Sequence, residues 1–121
     1  MSNIEKIDVF GSNLMSSVRD RSIKRVDDIL LGDVKAKSLI ELHQSLKSFD
    51  SHQIDSIRTV IIETIDNVIF NTLSMLEENR NNLKLQILDQ GTDTNLVDIS
   101  DGLPGELFSD DGWITRFSKY K

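Results

Sequence analysis

The side chains best suited to acid–base or metal chemistry are two histidines and one pair of carboxylates. His43 and His52 are the only histidines, and an imidazole can act as a general base near neutral pH. Glu63 and Asp66 stand three residues apart, which places both carboxylates on one side of a helix. With His43 from a neighbouring helix, they are candidates for a metal site or a small hydrolase site. Metal sites in helical bundles use more carboxylates and a histidine three residues after a glutamate, so we predict no metal and no cofactor.

Three other patterns resemble ion-binding or nucleic-acid-binding motifs but are incomplete. The segment DQGTDTNLVDIS, which starts at Asp89, alternates acidic and polar residues like a calcium loop, but Thr94 replaces the required glycine and Ser100 the final glutamate. The basic run RDRSIKR is offset by neighbouring acids and contains no aromatic residue that could stack on bases. The chain has no Cys, no P-loop or Rossmann glycine pattern and no HExxH. We therefore expect a protein that is not an enzyme, with no catalytic residue and no nucleic-acid partner.

The acidic residues are concentrated toward the C-terminus. The net charge is −6, yet basic and acidic residues balance, nine of each, up to Arg58. Seven acidic residues and no basic residue lie between Asp89 and Asp111. A field of that sign attracts cationic surfaces and repels nucleic acid. The candidate partner-binding residues are Asp98, Asp101, Glu106, Asp110 and Asp111, with Trp113 as an anchor if it is exposed.

Helices must position these residues, and the central one begins near Ser51. In SHQIDSIRTVIIETIDNVIFNTLSMLEENR, apolar residues recur every three or four positions, which predicts one helix of about 28 residues. Asp50 and Gln53 fit a capping box at its start. The apolar stripe is wide, so the helix should be covered on more than one side. Earlier helical segments are joined to it through Gly32 and Asp50, and such short joins imply antiparallel neighbours.

The period of the apolar residues changes after Asn82. LKLQIL alternates like a half-buried strand, and NLVDIS gives a second short strand, so the two predict a β-hairpin. GLPGELF predicts a helical turn near Pro104. WITRFSKY fits a helix slightly better than a strand. Two interpretations of this closing segment stay open: a lid that seals the helical core, or an exposed aromatic and acidic patch that binds another protein.

The closing segment also carries a resemblance. The run DISDGLPGELFSDDGWITRFSKY resembles the endings of small uncharacterised bacterial proteins of about this length, in the pattern DGLxGELFxxDGWIxRFSKY. The similarity covers roughly the last quarter of the chain. It implies that the segment is a defined structural feature, and it implies no active site.

The sequence predicts a single-domain α+β protein that is mainly helical. About three packed antiparallel helices, one of them long and central, occupy residues 1–82, and a β-hairpin with a short aromatic tail occupies residues 83–121. The chain carries no signal-peptide pattern, and its longest apolar cluster is interrupted by Glu63 and Asp66, so a soluble cytoplasmic protein is expected. Its single Ala indicates an AT-rich bacterial or phage gene.

The function predicted from these features is that of a non-enzymatic protein-interaction module. Its concrete form is a toxin-immunity-type inhibitor that uses an acidic surface to bind a basic protein. Two alternatives remain: a small metal-binding protein or hydrolase that uses His43, Glu63 and Asp66, and a self-associating structural subunit. The second would hide the surplus apolar face of the long helix in a homodimer.

Overall fold

The computed structural model describes residues 1–91 and 93–121, and helices dominate this part of the chain. In chain order these are α1 (Asn3–Leu14), a π-helical turn (Met15–Arg19), α2 (Asp20–Leu31), α3 (Lys37–Ser45), α4 (Ser51–Glu78), α5 (Leu96–Ile99), a 3₁₀ turn (Leu103–Glu106) and α6 (Trp113–Phe117).

The first two helices form one nearly continuous rod. The Ser2 hydroxyl accepts the Glu5 amide at 3.1 Å and so caps α1. The π-helical turn joins α1 to α2 without leaving helical backbone angles. Gly32 ends the rod in the left-handed conformation, with φ of 82°, which favours glycine because it has no Cβ. The predicted helix end at Gly32 is therefore confirmed.

Helix α4 runs unbroken from Ser51 to Glu78, as predicted. Its capping box is present, because the Asp50 carboxylate accepts the Gln53 amide and the Gln53 side chain accepts the Asp50 amide. Two ion pairs set its direction against α2 and the π-helical turn: Arg19 binds Asp66, and Asp27 binds Arg58. From the first ion pair to the second, the residue number rises from 19 to 27 in the first rod and falls from 66 to 58 in α4. Helix α4 is therefore antiparallel to that rod.

The hydrophobic core lies at one end of the molecule, between α1, the C-terminal half of α4 and the closing segment. Its buried members are Ile7, Met15, Ile69, Leu73, Leu96, Val97, Leu103, Leu107 and Trp113. Trp113 is 0% exposed, and its ring meets Phe10 edge-on at a centroid distance of 5.7 Å. A Cβ on Gly11 would lie 2.3 Å from the Trp113 indole nitrogen, so the indole needs a glycine at that position. The lid interpretation of the closing segment is thus confirmed.

The predicted β-hairpin, and with it the α+β class, is wrong. Residues 1–91 and 93–121 contain no strand, and NLVDIS forms the one-turn helix α5 instead. The reason is Asn95, whose side-chain oxygen accepts the Val97 amide and caps α5. The same oxygen accepts the Leu85 amide at 3.2 Å, so one side chain holds the LKLQIL segment where a strand ladder was expected. The described fold is all-helical with irregular connections.

Among the described residues, only α4 is long and apolar enough to cross a membrane by length and composition, and 17% of its apolar window is buried. Core helices of soluble proteins meet the same criterion. Asp66 lies within α4 and binds Arg19 of the neighbouring rod.

Candidate functional site

An acidic cleft of about 270 Å³ opens between α1 and the closing segment. Three carboxylates, Asp8, Glu106 and Asp111, line it together with one guanidinium, that of Arg116. Ile4 and Ile7 supply an apolar wall. The name acidic cleft is used below for this site.

Packing of the closing segment on α1 brings these charges together. Gly11 lets Trp113 pack directly on α1, and this contact fixes the position of α6. Arg116 lies three residues after Trp113, and Asp8 lies three residues before Gly11, so the two side chains meet at the same level. The Arg116 Nη2 donates to the Asp8 Oδ1 at 2.8 Å.

Glu106 is positioned by the turn that precedes α6. Its Oε1 accepts the Ser100 hydroxyl at 3.1 Å, and the Ser100 oxygen accepts the Gly102 amide. Gly112 approaches this turn closely, since a Cβ there would lie 2.7 Å from the Glu106 carbonyl oxygen. The Ser100 hydroxyl therefore positions one oxygen of the Glu106 carboxylate, and the second oxygen accepts no hydrogen bond from the described residues.

The charges of the cleft are unbalanced. The hydrogen bond that Arg116 donates to Asp8 raises the pKa of Arg116; desolvation opposes that rise, and the charges of Asp8, Asp111 and Glu106 add to it. Asp111 is exposed and makes no ion pair within the described residues. Three carboxylates thus share one guanidinium, and the cleft keeps two formal negative charges.

The other predicted acidic residues lie outside the cleft lining. Asp98 forms an exposed ion pair with Arg80 at 3.6 Å. Asp101 and Asp110 are exposed and have no ion pair in the described part of the chain. Asp93 pairs with Lys84. The expected acidic surface is therefore partly neutralised by the chain's own basic residues, and the cleft gathers only two of its predicted members.

Trp113 was predicted to anchor a partner only if exposed, and this condition is not met. Its indole is fully buried, and its nitrogen has no hydrogen-bond partner within the described residues. The sequence did not indicate the other five residues of the cleft lining, which are Ile4, Ile7, Asp8, Ser109 and Arg116. Asp8 lies almost a full chain length from Arg116, and no local pattern connects the two.

The three candidate metal ligands do not form a common site. The His43 Nδ1 lies 2.9 Å from the Ile29 carbonyl oxygen, and its ring packs on Gly32. Asp66 binds Arg19, and Glu63 is exposed. The described residues contain no group of three His, Cys, Asp or Glu side chains that could hold a metal ion.

A buried polar network attaches the chain end to the helical rods. The Arg19 Nε donates to the Asp66 Oδ1 at 2.6 Å, and its Nη1 donates to the Ser118 hydroxyl at 2.7 Å and to the Tyr120 carbonyl. The Ser118 hydroxyl in turn donates to Asp20 at 2.6 Å. Arg19 ends the π-helical turn, a type of irregularity that is common at positions under special constraint. The network holds the segment after α6 in place and thereby supports the wall of the cleft.

Comparison with known proteins adds no family: no protein-family model, curated protein or solved structure matches the chain. Fold and site together define a small helical protein with a net acidic cleft and no group of three potential metal ligands among its described residues.

Proposed function

We propose that this chain is a non-enzymatic protein-interaction module whose acidic cleft receives an arginine or lysine side chain of a basic partner protein. Its concrete form is an inhibitor of the toxin-immunity type that acts in the cytoplasm of a bacterium. The observation that carries the proposal is the convergence of Asp8, Glu106 and Asp111 around a single guanidinium.

The cleft chemistry suits a long cationic side chain. Arginine and lysine place a hydrocarbon stem against apolar surface and keep the charged head among polar groups. Ile4 and Ile7 offer such apolar surface, and Glu106 and Asp111 offer carboxylate oxygens beside it. An arginine can donate two parallel hydrogen bonds to one carboxylate, which adds directionality to the attraction.

The charge of the whole chain supports the same type of partner. A net charge of −6 repels nucleic acid and draws a basic protein toward the surface. Electrostatic complementarity of this kind mainly raises the association rate and the specificity of a complex. The acids outside the cleft, such as Asp101 and Asp110, contribute to that long-range attraction even though they do not line the site.

The test is a titration with a capped Gly-Arg-Gly peptide, followed by the backbone amide and arginine side-chain NMR signals. One exposed contact set of this type corresponds to a dissociation constant in the millimolar range, or about −4 kcal/mol. We expect saturable shifts confined to the residues around the cleft, such as Ser109, Asp111 and Arg116. Shifts spread over the whole surface, or none up to the solubility limit of the peptide, would contradict the proposal.

Variants that neutralise carboxylates of the cleft test whether the peptide binds there. The double variant Glu106→Gln, Asp111→Asn removes both non-paired acids of the cleft and is expected to weaken peptide binding about tenfold, as the loss of about 1.4 kcal/mol would. The double variant Asp101→Asn, Asp110→Asn is the matched control, because it also removes two exposed acids that make no ion pair in the described part of the chain, and both lie outside the cleft lining. An equal loss in the control would show that net charge alone, and not the cleft, attracts the peptide.

A further inference from the structure

The end of the molecule opposite the core is poorly covered. No residue from Lys24 to Ile65 is buried, although this range includes most of α2, all of α3 and half of α4. Its apolar residues are half-buried or exposed, and 65% of the surface of Val60 is exposed to solvent. Because residues 24–65 of these three helices contain no buried side chain, much of their apolar surface stays in contact with water.

Two apolar grooves run along the α2–α4 face and meet at Ile61. One, of about 280 Å³, contains Val18, Thr64 and Val68. The other, of about 290 Å³, contains Val26 and Ile57 and is also lined from α3, by Leu42 and Leu46. The described lining of both grooves contains no ionisable side chain. The α2–α4 face, defined by these two grooves, is therefore a charge-free apolar strip on an acidic protein.

Helix α4 presents a seam with coiled-coil spacing on this face. Ile54, Ile57, Ile61, Thr64 and Val68 follow one another in steps of three, four, three and four, and Met75 continues the series one heptad after Val68. All five residues from Ile54 to Val68 are β-branched, so the seam has the spacing of a helix-pairing stripe but does not by itself set the number of helices that pair. The seam is about 32 Å long at 1.5 Å per residue.

We propose that the α2–α4 face binds the same face of a second copy of this chain, giving a two-fold symmetric homodimer. In such an interface the residues near the axis meet their own copies, so a charged side chain there would face a like charge. A face without charges is where two copies of a chain with net charge −6 can approach without that repulsion. A basic partner, by contrast, would find no acid in the grooves to select it.

The size of the face suits a stable pair. Helix α4, about 10 Å wide, presents roughly 320 Å² in projection along the seam of about 32 Å, and the 12 residues of α2 add roughly 180 Å². Accessible surface exceeds projected area because side chains protrude, so the face approaches the ~800 Å² per partner of a standard interface. The acidic cleft shares no lining residue with the grooves, so the dimer leaves it accessible.

The primary test is the mass of the chain in solution over a concentration series, by sedimentation equilibrium. We expect the wild type to approach twice its 13.7 kDa chain mass. Val68→Glu should raise the dissociation constant at least about tenfold, because it places a charge in the seam. Leu88→Glu is the control, since Leu88 is 91% exposed and lies outside the grooves, and it should dimerise like the wild type. A wild type that stays monomeric overturns the proposal, as does a Val68→Glu variant that dimerises unchanged.

Cysteine cross-linking gives a second test, because the chain has no Cys of its own. Thr64→Cys places a thiol at the middle of the seam, and mild oxidation should give a disulfide-linked dimer. Thr115→Cys, on the exposed side of α6, should stay monomeric under the same conditions. Equal cross-linking of both variants would indicate random collision and would contradict the symmetric interface.

Discussion

Replacing Arg19 with methionine keeps most of the side-chain volume and removes the guanidinium at the centre of the buried network. The Asp66 carboxylate then loses contacts of 2.6 and 3.2 Å from Arg19, and the Ser118 hydroxyl loses one of 2.7 Å. Because the Arg19 and Asp66 side chains are only 5% and 10% exposed, Asp66 is left with an uncompensated charge away from water. Breaking such a buried pair costs about 3–5 kcal/mol.

The assay is urea denaturation monitored by circular dichroism for the helices and by Trp113 fluorescence for the closing segment. A loss of about 3–5 kcal/mol lowers the urea midpoint by roughly 1.5–2.5 M if the m-value is about 2 kcal/mol/M. Trp113 should report unfolding at a lower urea concentration than the helices, because Arg19 holds the backbone just after α6. The double variant Arg19→Met, Asp66→Leu should recover much of the loss, since it removes both charges.

Arg58→Met is the matched control. Arg58 contacts Asp27 at 2.7 and 3.2 Å, almost the geometry of the Arg19 pair, but its side chains are 37% and 29% exposed. Solvent screening limits such a pair to about 1 kcal/mol or less. A loss below about 1 kcal/mol for Arg19→Met, or equal losses for the two variants, would refute the conclusion that burial makes the Arg19 network structural.

Two further substitutions test the packing of the closing segment. Gly11→Ala should destabilise the protein by about 1–3 kcal/mol, because its Cβ would overlap the Trp113 ring; Gly105→Ala, with open space around it, should be nearly neutral in the same urea titration. Asn95→Ala should cost about 1–3 kcal/mol by leaving the Leu85 amide without its acceptor, whereas Asn95→Asp keeps the accepting oxygen and should lose less. A neutral Gly11→Ala, or an Asn95→Asp variant as unstable as Asn95→Ala, would contradict these assignments.

Local signals in the sequence were sufficient for the helices. The capping box of Asp50 and Gln53 and the three-four spacing after Ser51 determine α4, and Gly32 determines the end of α2. These features involve neighbouring residues, so the sequence displays them directly. The prediction of a hairpin was wrong because the alternation of apolar residues in LKLQIL does not show that Asn95 caps the helical turn α5.

The candidate site depended on contacts that spacing does not encode. Arg19 was part of a basic run and Asp66 was a candidate ligand, yet the fold buries them as partners. Asp8 joins Glu106 and Asp111 only because Trp113 packs against Gly11. The accumulation of acids near the C-terminus was visible in the sequence, whereas the choice of which acids share a cleft is a property of tertiary packing.

The most direct measurement of the central claim compares two peptides on the wild-type protein. Citrulline keeps the shape of arginine and lacks its charge, so a capped Gly-citrulline-Gly peptide is the neutral counterpart of Gly-Arg-Gly. We predict NMR shifts around Asp111 and Arg116 for the arginine peptide, decreasing as salt shortens the Debye length, and no saturable shifts for the citrulline peptide. Equal shifts from the two peptides, or arginine shifts that do not respond to salt, would contradict a cleft that recognises positive charge.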